Sequence, residues 1–461
     1  MHEQRAEGGR TMSLRRHLLA AAALLCAATA RAAMPAQATI GTPEIVLPRA
    51  APTGTVVLFS GADGWGDAER GIATTLAGRG QIVIGIDLAA TLRRMAASRD
   101  ACATLIGEIE AASHQAQREA GAPAYRFPVL AGMRAGGTMA LEVAGQASTA
   151  TIDRVLAVDP DPALPGRKPL CTDAPRPAGP PPHDLPAYDL PAGRLPYGVD
   201  IRLSVAATAP VRRQAAGFSA RHPDAKLADA PQASPLSALL DALPAPLPPA
   251  GAAGVADLPL VELPVAHPGG AFAVLYSGDG GWRDLDKSLA AILQRNGLPV
   301  VGVDALRYFW THRSPEQAAH DLGRIIDAYR RKWGADKVAL IGFSFGADVL
   351  PALYNRLAAA DRAAVAQLSL LGFSATADFE VTVAGWLRQH GSGALPTLPE
   401  VRRIEPQRVQ CFYGEDDDEA ACPQVGNGLE LIRTSGGHHF DGDYEALARH
   451  ILQGLKRRDA P

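Results

Sequence analysis

The sequence predicts an α/β protein in which one unit, a mostly parallel sheet flanked by helices, occurs twice in tandem. First, short apolar runs alternate with longer stretches of helical periodicity, such as residues 285–293 and 318–329, and this pattern is typical of a parallel sheet covered on both faces. Second, the chain contains an internal repeat. Third, its 461 residues are too many for one ordinary core and fit two domains of roughly 200 residues each.

The repeat is marked by two pairs of residues that follow apolar runs. Ser60 opens Ser-Gly-Ala-Asp-Gly-Trp in the first half, and Ser277 opens Ser-Gly-Asp-Gly-Gly-Trp in the second. These serines are 217 positions apart, and so are Asp87 and Asp304, each at the end of a further apolar run. Because the spacing between the markers is kept, the repeat indicates duplication of a whole domain.

The N-terminal residues predict an export signal. After Met12 come a basic stretch at 14–17, an apolar run at 18–30 and an Ala-x-Ala pattern at 30–32, which together are typical of a cleaved signal peptide. The apolar run is too short for a permanent membrane anchor. We expect a signal peptide over residues 1–32, with translation starting at Met12.

Proline-rich segments predict the domain organisation. Residues 160–196 hold 12 of the 37 prolines, which predicts a long surface excursion without regular structure. Residues 243–259 are rich in Pro and Ala and predict a linker. The expected domains are therefore 33–255 and 256–461. A net charge of −3 with both signs interspersed does not favour nucleic acid as a partner.

The second half carries a Gly-x-Ser-x-Gly sequence between a predicted strand and a predicted helix. Four apolar residues precede Gly342, Ser344 lies in the middle, and apolar positions at helical spacing follow Gly346. This context is typical of the nucleophile elbow of α/β hydrolases, where a strained turn raises a serine hydroxyl above the sheet edge. The sequence therefore predicts α/β-hydrolase-like domains with Ser344 as the nucleophile. The alternative is a tight turn without chemistry.

Arginine replaces this serine in the first half. Arg134 stands between Gly132 and Gly136, after the apolar run 127–131. A guanidinium is a permanent cation and cannot act as a nucleophile. The predicted strand 201–206 is also followed by no carboxylate. We therefore expect the first domain to be degenerate and non-catalytic.

Candidates for the acid and the histidine follow Ser344 in the order that this fold requires. Five consecutive acids, 415–419, come after the predicted strand 408–413; Asp417 is the first choice for the triad acid and Asp416 the alternative. Two adjacent histidines follow in the glycine-rich stretch 436–443, with His438 the first choice and His439 the alternative. Solvated turn charges and a structural histidine are the competing interpretations.

Backbone N–H groups for an oxyanion hole are predicted at Phe345, directly after the nucleophile, and at Gly278 or Asp279 in the early loop. A metal site at Asp279, Asp304 and His438 is the competing interpretation. The His and Cys spacing of a zinc site does not occur, so we expect neither a metal nor a cofactor.

Four cysteines follow the signal segment, an even number in a chain predicted to be exported, and this favours disulfides. Cys411 and Cys422 flank the acidic loop and are predicted to form one bond, with Cys102 and Cys171 as the second pair. The alternative is four buried free thiols.

An aromatic cluster, absent from the equivalent first-half stretch 88–94, follows a predicted strand end on the edge expected to hold Ser344. We interpret this aromatic cluster as a pocket wall. Packing in the core is the alternative interpretation and has equal weight. The predicted substrate-binding residues are Trp282, Tyr308, Phe309, Trp310 and Asp348.

Four segments of the second half, 277–282, 308–310, 342–348 and 436–443, resemble the bacterial virulence protein family called VirJ and AcvB. The longer AcvB-type members are similar in carrying an extra first half. The resemblance implies an α/β-hydrolase fold, a periplasmic location and hydrolysis of lysyl-phosphatidylglycerol, an aminoacylated phospholipid at the membrane surface. Periplasmic protein partners are a second expectation, because some family members are linked to type IV secretion and virulence.

Three functions therefore compete: a lysyl-phosphatidylglycerol hydrolase, a general esterase or lipase, and a periplasmic binding protein of a secretion apparatus. Retention of serine, acid and histidine in one half favours an enzyme. Asp279, Asp284 and Asp348 lie near the predicted oxyanion loop or nucleophile and would attract a cationic aminoacyl group, although Asp284 also suits a helix N-cap.

Overall fold

The computed structural model describes residues 38–147, 150–165, 168–172, 184–186, 190, 192–230, 233–243, 254–382 and 394–459. The predicted signal peptide, 1–32, lies outside these residues, as do parts of both proline-rich segments. Within the described residues, no helix combines the length and the apolar character needed to cross a membrane.

The first half supplies nine strands and six helices to the described structure. Its strands are β1 (Glu44–Val46), β2 (Gly54–Phe59), β3 (Gln81–Ile86), β4 (Val129–Met133), β5 (Arg154–Val158), β6 (Ala163–Pro165), β7 (Asp184–Pro186), β8 (Gly198–Ser204) and β9 (Lys226–Ala230). Its helices are α1 (Asp67–Gly78), α2 (Leu88–Ala97), α3 (Ile106–Glu119), α4 (Ala135–Ala144), α5 (Ala209–Arg221) and α6 (Pro235–Ala242).

The described residues of the second half follow the same plan. The strands are β10 (Leu260–Leu263), β11 (Ala271–Tyr276), β12 (Val300–Val303), β13 (Lys337–Phe343), β14 (Val365–Leu371), β15 (Thr376–Ala377), β16 (Leu395–Pro396), β17 (Val409–Gly414) and β18 (Glu430–Thr434). The helices are α7 (Asp284–Arg295), α8 (Ala305–Tyr308), α9 (Pro315–Trp333), α10 (Phe345–Arg356), α11 (Ala359–Ala364), α12 (Thr397–Val401) and α13 (Tyr444–Asp459).

Each half forms one seven-stranded sheet with the same topology. The strand orders are β1-β3-β2-β4-β5-β8-β9 and β10-β12-β11-β13-β14-β17-β18. Only the edge strands β1 and β10 pair antiparallel; the other neighbours are parallel. Parallel neighbours need crossover connections, which helices provide here. The predicted fold class, tandem α/β-hydrolase-like units with mostly parallel sheets, is confirmed.

The two halves also agree in side-chain packing. A Cβ on Gly302 would lie 2.3 Å from the ring of Trp282, and one on Gly85 would lie 2.2 Å from the ring of Trp65. Each indole therefore packs directly on a strand that has no side chain at that point. Trp282 is 2% exposed, and its counterpart packs in the same way in the half that lacks the serine. The prediction that Trp282 binds substrate was wrong, because its ring is part of the core.

The interpretation of the aromatic cluster as a pocket wall was also wrong. Tyr308, Phe309 and Trp310 are all at most 2% exposed and belong to the main core of the second half. The Tyr308 hydroxyl donates a hydrogen bond of 2.7 Å to Asp321. Packing within the core, the alternative interpretation, explains these residues because burying three large rings stabilises the sheet–helix interface.

Two local expectations also need correction. The proline-rich segment 160–196 contains regular structure, since β6 and β7 form a short antiparallel pair. Asp284 is the first residue of α7 rather than its N-cap, a position that Arg283 occupies. Asp284 is exposed and has a positive φ of 43°.

Both predicted cysteine pairs are joined in the structure. Cys102 bonds to Cys171 across 69 positions, and Cys411 bonds to Cys422 across 11 positions. Cys411 lies in β17 and Cys422 opens a short 3-10 turn. The second bond therefore closes the loop that carries the acids 415–419.

We predict that replacing both Cys411 and Cys422 with alanine lowers the free energy of unfolding by about 3 kcal/mol, because the bond restricts the unfolded chain. Urea unfolding without reductant measures this effect. The matched control is the Cys102→Ala, Cys171→Ala pair, for which the longer loop predicts a loss of about 4 kcal/mol. An unchanged urea midpoint in the first variant would contradict the prediction.

Candidate active site

Ser344 lies at the turn between β13 and α10 in a strained backbone conformation, with φ 52° and ψ −120°. Its N–H donates a 2.8 Å hydrogen bond to the carbonyl of Leu371. A Cβ on Gly342 would lie 2.5 Å from the backbone of Gly346, and one on Gly346 would lie 2.3 Å from the carbonyl oxygen of Tyr276. Both positions therefore require glycine, and together they fix the turn that presents the serine.

His438 reaches the serine from the loop after β18. Its Nε2 lies 2.9 Å from Ser344 Oγ, and its ring packs at a tilt, 5.4 Å from that of Phe343. Gly372, directly after β14, has a φ of 64°, and a Cβ there would lie 2.8 Å from the imidazole. Our sequence reasoning missed Gly372, although a glycine immediately after a predicted strand is a signal of close approach.

Asp417 is the acid that contacts the imidazole. Its Oδ2 lies 2.9 Å from His438 Nδ1, and its side chain is 7% exposed. Its other oxygen accepts a 3.3 Å hydrogen bond from the N–H of Glu419. Asp416 is exposed, and the ring of His439 packs 5.5 Å from that of Phe343. The structure thus joins the first-choice residues rather than the two alternatives.

This chain of two hydrogen bonds has the chemistry of a nucleophilic triad. The imidazole Nε2 is within reach of the serine proton, and the buried carboxylate accepts a hydrogen bond from Nδ1–H and stabilises the imidazolium. Such an arrangement can perform acyl transfer.

The candidate oxyanion residues lie beside the serine. A Cβ on Gly278 would be 3.7 Å from Ser344 Cβ, so the early loop passes directly over the nucleophile. Phe345 is the first residue of α10, and the first N–H groups of a helix have no partner within it. The N–H of Gly278 lowers the pKa of the buried Asp286 carboxyl, which burial raises, so this N–H faces that carboxyl. The N–H of Asp279 likewise faces its own carboxyl, so Gly278 and Asp279 are equal candidates for the second donor.

Asp348, in the first turn of the helix that follows the nucleophile, interacts electrostatically with two further aspartates, Asp279 and Asp378. Burial raises the pKa of Asp279 and raises that of Asp348 well above its ordinary range. The charges of Asp279 and Asp378 raise the pKa of Asp348 further, so the three carboxyls lie near one another. Asp348 Oδ1 also accepts a 2.7 Å hydrogen bond from the N–H of Ser374. Our sequence reasoning missed Asp378.

Two of these acids, Asp279 and Asp348, are absent from the equivalent positions of the first half. Ala62 stands at the position equivalent to Asp279, and Thr138 stands four residues after Arg134, as Asp348 stands four residues after Ser344. Residues that maintain the fold recur in both halves. For example, the Oγ atoms of Ser60 and Ser277 accept equivalent 2.9 Å hydrogen bonds. Asp279 and Asp348 are therefore associated with the candidate active site and are not needed for the fold.

The first half keeps the elbow without the nucleophile. Arg134 has φ 50° and ψ −123°, close to the angles of Ser344. Its guanidinium lies 3.2 Å from Asp161, and the nearby Asp159 carboxylate accepts a hydrogen bond of 2.7 Å from the N–H of Ser204. Among the described residues of the whole chain, no three His, Cys, Asp or Glu side chains are grouped so that they could hold a metal ion. Asp304 instead caps α8 by accepting a 3.2 Å hydrogen bond from the Arg307 N–H.

Comparison with known proteins supports the resemblance in the second half. The model of the bacterial virulence protein (VirJ) family matches residues 270–459, which include Ser344, Asp417 and His438. Comparison with curated protein sequences gives no match.

Three solved structures are similar to part of this chain. MenH from S. aureus is 15% identical, covers 44% of this chain and 99% of its own, and gives a TM-score of 0.33. Proline iminopeptidase from Mycobacterium smegmatis is 12% identical over 43% and 94%, with a TM-score of 0.31. Est1E from Butyrivibrio proteoclasticus is 12% identical over 44% and 93%, with a TM-score of 0.32. At these TM-scores the fold assignment rests on the strand order and registers given above.

We predict that a fluorophosphonate probe labels Ser344 alone, because this is the serine with an adjacent base. Ser344→Ala should abolish labelling, and Asp417→Asn should slow it by on the order of 10⁴-fold through loss of the oriented imidazole. Mass spectrometry of the labelled full-length chain measures both effects.

Asp416→Asn is the matched control and should label at the wild-type rate, since Asp416 is exposed. An adduct on any residue of the first half would contradict its assignment as non-catalytic. Equal labelling of the two aspartate variants would contradict the choice of Asp417.

Proposed function

We propose that this protein is a serine hydrolase that cleaves the aminoacyl ester of lysyl-phosphatidylglycerol, giving lysine and phosphatidylglycerol. The observation that carries the proposal is the hydrogen-bonded chain Ser344–His438–Asp417, with distances of 2.9 Å and 2.9 Å, inside the region that matches the VirJ family. The family resemblance supplies the substrate. We place the reaction in the periplasm, in accordance with the predicted signal peptide.

The reaction proceeds by two acyl transfers. His438 Nε2 takes the proton of Ser344 Oγ as the oxygen attacks the ester carbonyl carbon. The N–H of Phe345 and that of Gly278 or Asp279 stabilise the oxyanion. The ester C–O bond breaks, and the imidazolium returns the proton to the glycerol oxygen, which releases phosphatidylglycerol. Water, deprotonated by the same imidazole, then attacks the lysyl-serine ester and frees lysine.

The acids beside the serine support a cationic acyl group. A lysyl ester carries two ammonium groups, and a partly desolvated carboxylate contributes about 1.5 to 3 kcal/mol through a charge-assisted hydrogen bond. Burial holds the pKa of Asp348 well above its usual value, and the neighbouring carboxylates Asp279 and Asp378 add to this effect. A bound ammonium offsets that repulsion and favours the charged carboxylate. Asp284, the third acid on the predicted rim, is exposed at the start of α7 and has no part in the proposal.

We predict that the protein hydrolyses lysyl-phosphatidylglycerol about 10- to 150-fold faster than alanyl-phosphatidylglycerol in mixed liposomes, in line with one charge-assisted hydrogen bond. Asp348→Asn keeps the shape and an acceptor for the Ser374 N–H but removes the charge, so it should reduce this preference about tenfold or more. Chromatographic assay of the released amino acids measures both rates.

The preference should also shrink as the pH falls through the raised pKa of Asp348, because protonation removes the negative charge that attracts the ammonium. Asp416→Asn serves as the charge-matched control. Release of fatty acid at the rate of lysine release would indicate a general lipase. Equal rates on the lysyl and alanyl lipids would show that the three carboxyls do not select the substrate.

A further inference from the structure

The first half contacts the second half at the loops that flank the nucleophile. Helix α3 and the residues just after it form an ion pair with the end of the oxyanion loop and pack on the segments 307–313 and 378–382. Both contacts depend on side chains of the first half.

The ion pair joins Glu110 of α3 to Arg283. Glu110 Oε2 lies 2.8 Å from Arg283 Nη1, and the glutamate side chain is only 12% exposed. Leaving one member of a buried pair without its partner is strongly unfavourable, so Glu110 fixes the position of the guanidinium. Arg283 directly follows the loop 278–282 and is the N-cap of α7.

The fixed guanidinium in turn packs against the oxyanion loop. A Cβ on Gly280 would lie 2.8 Å from Arg283 Nη2, so the guanidinium lies flat on this glycine. The positive charge of Arg283 also lowers the pKa of Asp279, partly offsetting the effect of burial. Glu110 is therefore linked through Arg283 to Gly280 and Asp279 of the oxyanion loop.

A second contact holds the aromatic segment. The guanidinium of Arg118 lies 3.6 Å above the ring of Trp310 and donates hydrogen bonds to the carbonyls of Trp310 and Val381. The Trp310 indole N–H donates a 2.9 Å hydrogen bond to the carbonyl of Ala122, and the ring of Tyr125 packs 5.1 Å away. All three partners of Trp310 named here, Arg118, Ala122 and Tyr125, lie in the first half.

The neighbour of this tryptophan reaches the active site. The ring of Phe309 packs 5.1 Å from that of Phe345 and 6.0 Å from that of Phe379. Phe345 follows the nucleophile, and Phe379 follows Asp378, one of the three acids. The buried aromatic cluster thus connects the first half to Phe345, next to the catalytic serine, and to Phe379, next to Asp378.

We propose that the first half is an intramolecular positioning domain, in which Glu110, acting through Arg283, holds the oxyanion loop in its reactive geometry over Ser344. Glu110 and Arg118 are positioning residues and touch no substrate. This inference rests on the proposed function, since it assigns the first half a role in the same reaction. It explains how a half without a nucleophile contributes to hydrolysis, because a misplacement of about 1 Å far from the chemistry can cost 10²-fold in rate.

The test uses full-length Glu110→Gln, Arg283→Gln and the double variant, assayed with a small neutral ester, p-nitrophenyl acetate, and with the fluorophosphonate. Glu110→Gln should lower kcat and the labelling rate about tenfold or more, with KM changed less than twofold. The double variant should be no slower than Arg283→Gln alone, because both act through one contact. Glu119→Gln, an exposed residue at the end of the same helix that accepts a hydrogen bond from Gln115, is the control and should behave as the wild type.

The outcomes separate this inference from the proposed function. If Glu110→Gln lowers only the unfolding midpoint and leaves kcat and the labelling rate unchanged, the contact is merely structural and the inference fails. Additive losses in the double variant would equally overturn the coupling through Arg283. A wild-type protein that reacts with neither reagent would contradict the proposed hydrolase itself.

Discussion

The close backbone approach at the elbow is the constraint on which the rest of the active site depends. Gly346 packs against the carbonyl of Tyr276 so tightly that a Cβ would lie 2.3 Å away, and this contact fixes α10 over the sheet. Ser344 must then adopt a positive φ, which costs of order 1 kcal/mol or more for a residue other than glycine. The surrounding strands impose that conformation, and it directs the hydroxyl to the imidazole of His438.

The internal duplication separates residues of the fold from residues of the chemistry. The tryptophan on a strand glycine, the serine at the end of the second strand and the helix-capping aspartate recur in both halves, as in Trp65 and Trp282, so they maintain the fold. The nucleophile and two of the acids near it are not repeated: Arg134, Ala62 and Thr138 stand where the second half has Ser344, Asp279 and Asp348. The first half therefore serves as an internal comparison for the second. Because Trp65 packs on its strand glycine as Trp282 does, Trp282 is a residue of the core and not of the binding site.

The contacts between the halves give the degenerate copy a physical role. An arginine at the elbow preserves the turn, since Arg134 and Ser344 share nearly the same backbone angles, but it removes the chemistry. What the first half adds instead are a buried carboxylate on α3 and a cation–aromatic contact, both directed at loops of the active site. In the absence of the first half, water would occupy the place of these contacts.

The sequence by itself determined the α/β class, the duplication, the elbow and the chain order of serine, acid and histidine, because periodicity and local spacing fix strands, helices and tight turns. The tertiary structure alone decided which acid and which histidine meet the serine, that the aromatic cluster is buried, and that Gly372, Asp378 and Glu110 belong near the site. The physical reason is distance along the chain: His438 meets Ser344 across 94 positions and Arg283 meets Glu110 across 173. Such contacts depend on how strands and loops pack, and local sequence patterns do not encode that packing.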